Sequence, residues 1–170
     1  MMPAVLFYIF AAVAVIMAVM LICSRNAVYS ALYLIVTLFS LACIFLLLHA
    51  EFIAAIQILV YAGAIMVLFL FVIMLLNIGR EKRTPIKLKG QKAVGLILSL
   101  GLLAVLYVRT RGVSDPQPIG PYSPEKLAEI GNVKAIGRLL FTDYLFQFEV
   151  TSILLFVAII GAVVLARRSD

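Results

Sequence analysis

Residues 52–76 read FIAAIQILVYAGAIMVLFLFVIMLL, 25 consecutive positions with neither a charge nor a proline. At ~1.5 Å per residue a helix of that length reaches about 38 Å, more than the ~30 Å hydrocarbon core of a bilayer. The stretch must span a membrane. Apolar residues run round its whole circumference, so lipid or other apolar helices surround it. Its middle is unusual. Gln57 and Tyr61 sit four apart on one helical face, and Ala62, Gly63 and Ala64 follow directly. Three small residues in a row let a neighbouring helix approach closely and leave little side-chain support, which predicts a π-bulge or kink here. Tyr61 lies ten residues beyond Glu51, about 15 Å at helical rise and so near the bilayer midplane. Tyrosine in a span ordinarily belongs at the interfaces, and a hydroxyl at the midplane needs a partner or a water. It either packs in a helix bundle and bonds a backbone carbonyl, or it serves a functional polar path.

The rest of the chain has the same character. It is 65% hydrophobic and 13% charged over 170 residues, whereas a soluble globule carries about 25% charged residues. The reading is therefore all-α, a single polytopic membrane domain over residues 1–170. Five transmembrane helices are expected at about 4–23, 27–49, 52–77, 92–109 and 145–166, and they leave no room for a soluble catalytic domain. No dinucleotide fingerprint, phosphate loop or His/Glu metal spacing occurs in the sequence. The two cysteines, Cys23 and Cys43, lie in apolar runs and read as small buried hydrophobes. An iron–sulfur cluster would normally take four thiolates. The first span follows Met-Met-Pro without a positive charge and is expected to be a retained helix, not a removed signal peptide.

Between the spans, the polar residues carry most of the information. Tyr33, Thr37 and Ser40 share one face of the second span, a pattern that suits interhelical hydrogen bonding. Glu51 opens the third span; it either caps that helix or is the outermost member of a proton path through Gln57 and Tyr61. The basic loop at 78–91 lacks aromatic interleaving and lies between two spans, so it argues for membrane topology and against nucleic-acid binding. The long loop at 110–144 has four prolines between residues 114 and 124. Beyond them Ser123 and Pro124 signal one short helix, and Asn132 is expected to cap another, in which Ile136, Leu139 and Leu140 share a face. Glu149 lies five residues inside the last span, as an interface anchor or a buried protonatable group. Nine Lys and Arg fall on the side of Arg25, the basic loop and the C-terminus, against five on the other. Lys/Arg excess marks the cytoplasmic face, so the N-terminus is expected outside and the C-terminus inside.

Two stretches carry a family likeness. VYAGAIMVLFLFVIMLLN at 60–77 resembles the third transmembrane helix of the J-type membrane subunit of respiratory complex I, the proton-pumping NADH:quinone oxidoreductase. GRLLFTDYLFQFEVTSILLFVAIIGAVVLARR at 137–168 resembles the loop and last helix of the same subunit, with Gln147 where the family pattern usually has proline. Together they cover 50 of 170 residues. The resemblance implies a core membrane-arm subunit near the quinone cavity that holds no cofactor itself. The whole complex is expected to use FMN, iron–sulfur clusters, NADH and quinone.

The implied partners are the quinone-cavity subunit and the small K-type and antiporter-like subunits, in a bacterial-type inner membrane. The resemblance also implies that the third helix switches between regular and π-bulged forms. The switching element is then residues 60–69, with Tyr61 and Gly63 central and Ala62, Ala64, Ile65, Met66 and Phe69 around them. Gln57, Glu51 and Glu149 are the candidate companions on a proton path. Three alternatives stand beside this gate. One is a purely structural scaffold subunit, and another is the same subunit in a related complex with a different electron donor. The third, an independent small transporter, is opposed by the lack of an internal repeat.

Overall fold

The structure is a computed structural model that describes residues 2–76, 89–111, 122 and 124–167; for residues 89–93, 124 and 125 it describes the backbone alone. Among the described residues there are helices and no strands. They are α1 (Met2–Cys23), α2 (Ala27–Leu47), α3 (Glu51–Ile56), a π-helical segment (Gln57–Ile65), α4 (Met66–Leu75), α5 (Lys89–Arg111), α6 (Pro124–Ile130), α7 (Asn132–Phe141) and α8 (Leu145–Ala166). Five helical stretches are long and apolar enough to cross a membrane: Met2–Cys23, Ala27–Leu47, Glu51–Leu75, Val94–Arg111 and Leu145–Ala166. The all-α, five-span architecture expected from hydropathy is thus present. Most of the basic loop, and Ser123 as a helix cap, lie outside the described residues.

The first turn is tied by its own side chains. The Ser24 hydroxyl donates to the Asn26 carbonyl at 3.2 Å, and Asn26 Oδ1 accepts from the Val28 N–H at 2.9 Å, capping α2. A cap of this kind contributes about 1 kcal/mol. The second turn works differently. Helix α2 stops at Leu47, two residues before the expected end, and His49 adopts a left-handed conformation at φ 57°. The His49 N–H then reaches the Leu46 carbonyl at 3.1 Å and the Ala50 N–H reaches Phe45 at 2.9 Å. That pair of bonds is a Schellman ending, with histidine in the place glycine usually takes. It reverses the chain within three residues.

Helix α2 forms the centre of the fold, with α1 along one side and the whole third span along the other. The seam between α2 and α4 buries Ala31, Met66 and Ile73, with Leu34, Leu38 and Leu70 packed round them. Ala42 and Ala54, on either side of the second turn, are also buried, and their small side chains permit close helix approach. Ser30 of α2 donates its hydroxyl to the Leu21 carbonyl of α1 at 3.3 Å, but Thr37 and Ser40 do not bridge helices as expected. Thr37 donates to the Tyr33 carbonyl and Ser40 to the Val36 carbonyl, each at 2.9 Å. The backbone four residues back satisfies such a group as well as a neighbouring helix would.

Beyond the third span the helices are sparsely supported. Among the described residues α5 touches no other helix, and α8 meets α7 alone. Helix α7 also packs on α6 and on α3. Asn132 does not cap α7; Gly131 holds that position at φ 89°. The Asn132 side chain bonds the third span instead. Helix α8 runs regularly past Gln147, whose carbonyl accepts from the Thr151 hydroxyl at 2.8 Å.

Candidate functional site

The backbone of the third span changes hydrogen-bond register twice. At its start the ladder is α-helical, and the Gln57 N–H is shared between the carbonyls of Ile53 and Ala54. From Gln57 to Ile65 the chain is π-helical over nine residues, and at the far end the Met66 N–H is shared between Tyr61, five residues back, and Gly63. Regular α-helix resumes over Met66–Leu75. A π stretch is rare and, where it occurs, frequently marks a functional site. The bulge expected at Ala62-Gly63-Ala64 is there, but it begins five residues earlier. Each π bond closes a ring across a full turn, so a departure centred on Gly63 draws in the preceding turn as well.

Gly63 is the sterically critical position. A Cβ built on it would stand 3.0 Å from the carbonyl oxygen of Ile58. Ile58 is five residues earlier, which makes that oxygen the natural π-helical acceptor for the Gly63 N–H. Ordinary contact begins near 3.4 Å, and the obstructing atom is backbone. Glycine therefore relieves the tightest point of the π ladder.

Burial sorts the remaining residues onto two faces. Ala62 and Met66 are buried on the α2 side of the span, at 9% and 5% exposure. Tyr61, Ile65 and Phe69 follow at four-residue spacing and are each about half exposed, at 49%, 51% and 50%. They form a stripe turned away from the chain's own core. Gln57 and Gly63 are half-buried, while Ala64 and Glu51 are exposed.

The Tyr61 side chain bonds no backbone carbonyl among the described residues. Its hydroxyl has no hydrogen-bond partner among the described residues, and neither does the Gln57 amide. Tyr61 is the eleventh residue of a 25-residue span. An unpaired hydroxyl at that depth requires a partner from outside the described residues or a water.

The two carboxylates are not gathered round Tyr61. Glu51 is in the first turn of α3, but the N-cap is Ala50, which offers no side-chain cap. Glu149 is exposed on α8, a helix that does not contact the third span among the described residues. Sequence reasoning missed the contact that does reach the start of the span. Asn132 Oδ1 accepts from the Phe52 N–H at 3.3 Å, across 80 residues. A pairing at that separation leaves no local signal in sequence. Among the described residues there is no group of three or more His, Cys, Asp or Glu side chains that could hold a metal ion.

Residues 17–165, which include the whole π segment, match the family described as NADH-ubiquinone/plastoquinone oxidoreductase chain 6. The chain belongs to this family. Its relatives include NADH-quinone oxidoreductase subunit J of Rickettsia bellii (strain RML369-C), 33% identical over 96% of this chain and 80% of the relative. Subunit J of Rhodobacter capsulatus is 38% identical over 95% of this chain and 80% of its own length. The chloroplastic NAD(P)H-quinone oxidoreductase subunit 6 of Nephroselmis olivacea is 43% identical over 84% of this chain and 80% of its length. These matches bear out the resemblance to the J-type subunit of complex I.

Proposed function

We propose that this chain is a core membrane-arm subunit of a proton-translocating NADH:quinone oxidoreductase, and that its third span gates a water path coupling quinone reduction to proton transfer. The observation that carries this reading is the nine-residue π segment in mid-span, with the unpartnered Tyr61 hydroxyl on its exposed stripe. Gain or loss of the extra residue per π turn shifts register by one, which rotates one side of the span by about 100° at 3.6 residues per turn. Such a rotation replaces each outward residue by its neighbour. Tyr61 then meets water or a partner chain in one form and is withdrawn in the other. The chain contributes no redox centre; FMN, iron–sulfur clusters, NADH and quinone belong to other subunits on this reading. Its neighbours are the quinone-cavity, K-type and antiporter-like subunits in a bacterial-type inner membrane, with the N-terminus outside.

The names of the relatives favour keeping the electron donor as a second question, because both NADH-quinone and NAD(P)H-quinone oxidoreductases are among them. The gate acts on the quinone side and is the same for either donor. Tyr61→Phe tests it, since the change removes one hydroxyl and leaves the ring. The complex should assemble normally, and donor oxidation by a hydrophilic artificial acceptor should continue. Coupled quinone reduction and proton uptake should fall several-fold. Parental coupled turnover in the assembled variant would leave the scaffold role as the better account.

A further inference from the structure

The third span begins without a cap of its own. The first turn of a helix leaves several N–H groups with no intrahelical acceptor, and at this helix Ala50 has no side-chain oxygen to offer. The first ladder bond runs from the Ala54 N–H to the Ala50 carbonyl at 3.0 Å. One group above it, the Phe52 N–H, is taken by Asn132 Oδ1 at 3.3 Å. Asn132 is half-buried at the start of α7, where the left-handed Gly131 supplies the N-cap and no side-chain cap bond forms. Its amide is thus spent on another helix. Helix α7 is in a position to bear on that contact, since it packs on α3, α6 and α8.

The contact matters because of what lies next to it. Helix α3 has six residues, under two turns, and the π segment starts immediately after it. So short a helix has little stability of its own. Its placement depends on the buried Ala54 against α2, on the Schellman turn, and on the Asn132 bond. We propose that Asn132 is a positioning residue for the third span: its side-chain oxygen anchors the first turn at Phe52 and so fixes where the α ladder gives way to the π ladder. The anchoring stands independently of the gate; its effect on turnover rests on the gate reading.

The test uses the assembled complex in mild detergent, with Asn132→Leu, Asn132→Ala and Asn132→Asp. Aspartate keeps an acceptor oxygen at the same place and suits a helix N-terminus; the other two remove it. Amide exchange is read by fragment mass spectrometry across residues 50–57. In the Leu and Ala variants the Phe52 amide should exchange about five-fold faster, which is ~1 kcal/mol of capping at 1.4 kcal/mol per decade. Asn132→Asp should restore parental exchange. Coupled quinone reduction, taken as a ratio to donor oxidation by an artificial acceptor, should fall in Leu and Ala and recover in Asp.

Unchanged Phe52 exchange in Leu and Ala, or exchange in Asp as fast as theirs, overturns the proposal. Faster exchange with an unaltered activity ratio supports the anchor and counts against the gate. Should the substituted complexes fail to assemble, the parental complex decides by itself. Phe52 must exchange more slowly than Glu51, whose N–H has no acceptor among the described residues, and equal rates overturn the anchor.

Discussion

Substituting Gly63 by alanine and then by valine gives the sharpest test of the π segment. The added Cβ of alanine would sit 3.0 Å from the Ile58 carbonyl oxygen, about 0.4 Å inside ordinary contact. The oxygen cannot retreat without lengthening the π ladder it belongs to. In an α register the acceptor for Gly63 would be Leu59, four residues back, and the contact with Ile58 is released. Alanine's general advantage over glycine in a helix, about 1 kcal/mol, comes from backbone entropy and accrues to both forms alike. Only the contact discriminates between them. An extra methyl in a packed site costs roughly 1 kcal/mol and two further carbons about 2, the lower part of the range for overpacking. The π form should therefore lose ground about five-fold with alanine and about thirty-fold with valine, at 1.4 kcal/mol per decade. A gate that cycles through both forms slows as one becomes scarce. Coupled quinone reduction by the assembled complex should fall in the order Gly, Ala, Val, while donor oxidation by an artificial acceptor stays at the parental rate. If the assembled Gly63→Val complex pumps and turns over like the parent, either the π form is not visited in turnover or the Ile58 contact does not oppose it, and the reasoning fails.

Two further outcomes are expected. Arg25→Cys in the first turn and Lys134→Cys on α7 should label from opposite faces of the membrane, Arg25→Cys from the cytoplasm; labelling of both from one side would contradict the five-span alternation. The chain expressed alone should be degraded or aggregated, and should run on a native gel only within a much larger complex, because among the described residues α5 and most of α8 have no helix against them and Gln57 and Tyr61 have no hydrogen-bond partner. A monodisperse, folded monomer with transport activity of its own would revive the transporter alternative.

How much of this was legible beforehand follows from the range of each interaction. The five spans are a local property, length times hydropathy, and the helices stand where the sequence put them to within a few residues at each end. The π segment was legible at its centre because small side chains at Ala62-Gly63-Ala64 are a local property too. The side on which Tyr61 lies was not. In a helix apolar all round, hydropathy cannot say which stripe turns inward, and here Ala62 and Met66 meet α2 while Tyr61 turns away. The shared face of Thr37 and Ser40 suggests contacts between helices, yet the same face offers carbonyls of their own helix at 2.9 Å. Asparagine at a helix start most often caps the helix it opens, which is the reading the sequence around Asn132 invites. A glycine one position earlier takes the cap and releases the amide to a helix start 80 residues away.

The arrangement of faces bears on where the energy of a gate would reside. Helix α4 is apolar on every side, so rotation by one residue exchanges apolar for apolar: Ile65 or Val67 for Met66 on the α2 seam, Leu68 or Leu70 for Phe69 outside. Such an exchange costs little solvation and is opposed chiefly by packing. On the α2 side the packing is internal to this chain. On the side of Tyr61, Ile65 and Phe69 it is not, since the stripe is half exposed and no helix of this chain covers it among the described residues. A partner helix on that stripe would sense an aromatic ring replaced by an aliphatic side chain and a hydroxyl brought near or withdrawn. The balance between the two forms is then a property of the interface. Substitutions in whatever packs on Tyr61 and Phe69 should shift it as strongly as Gly63→Ala, although they change nothing within the third span.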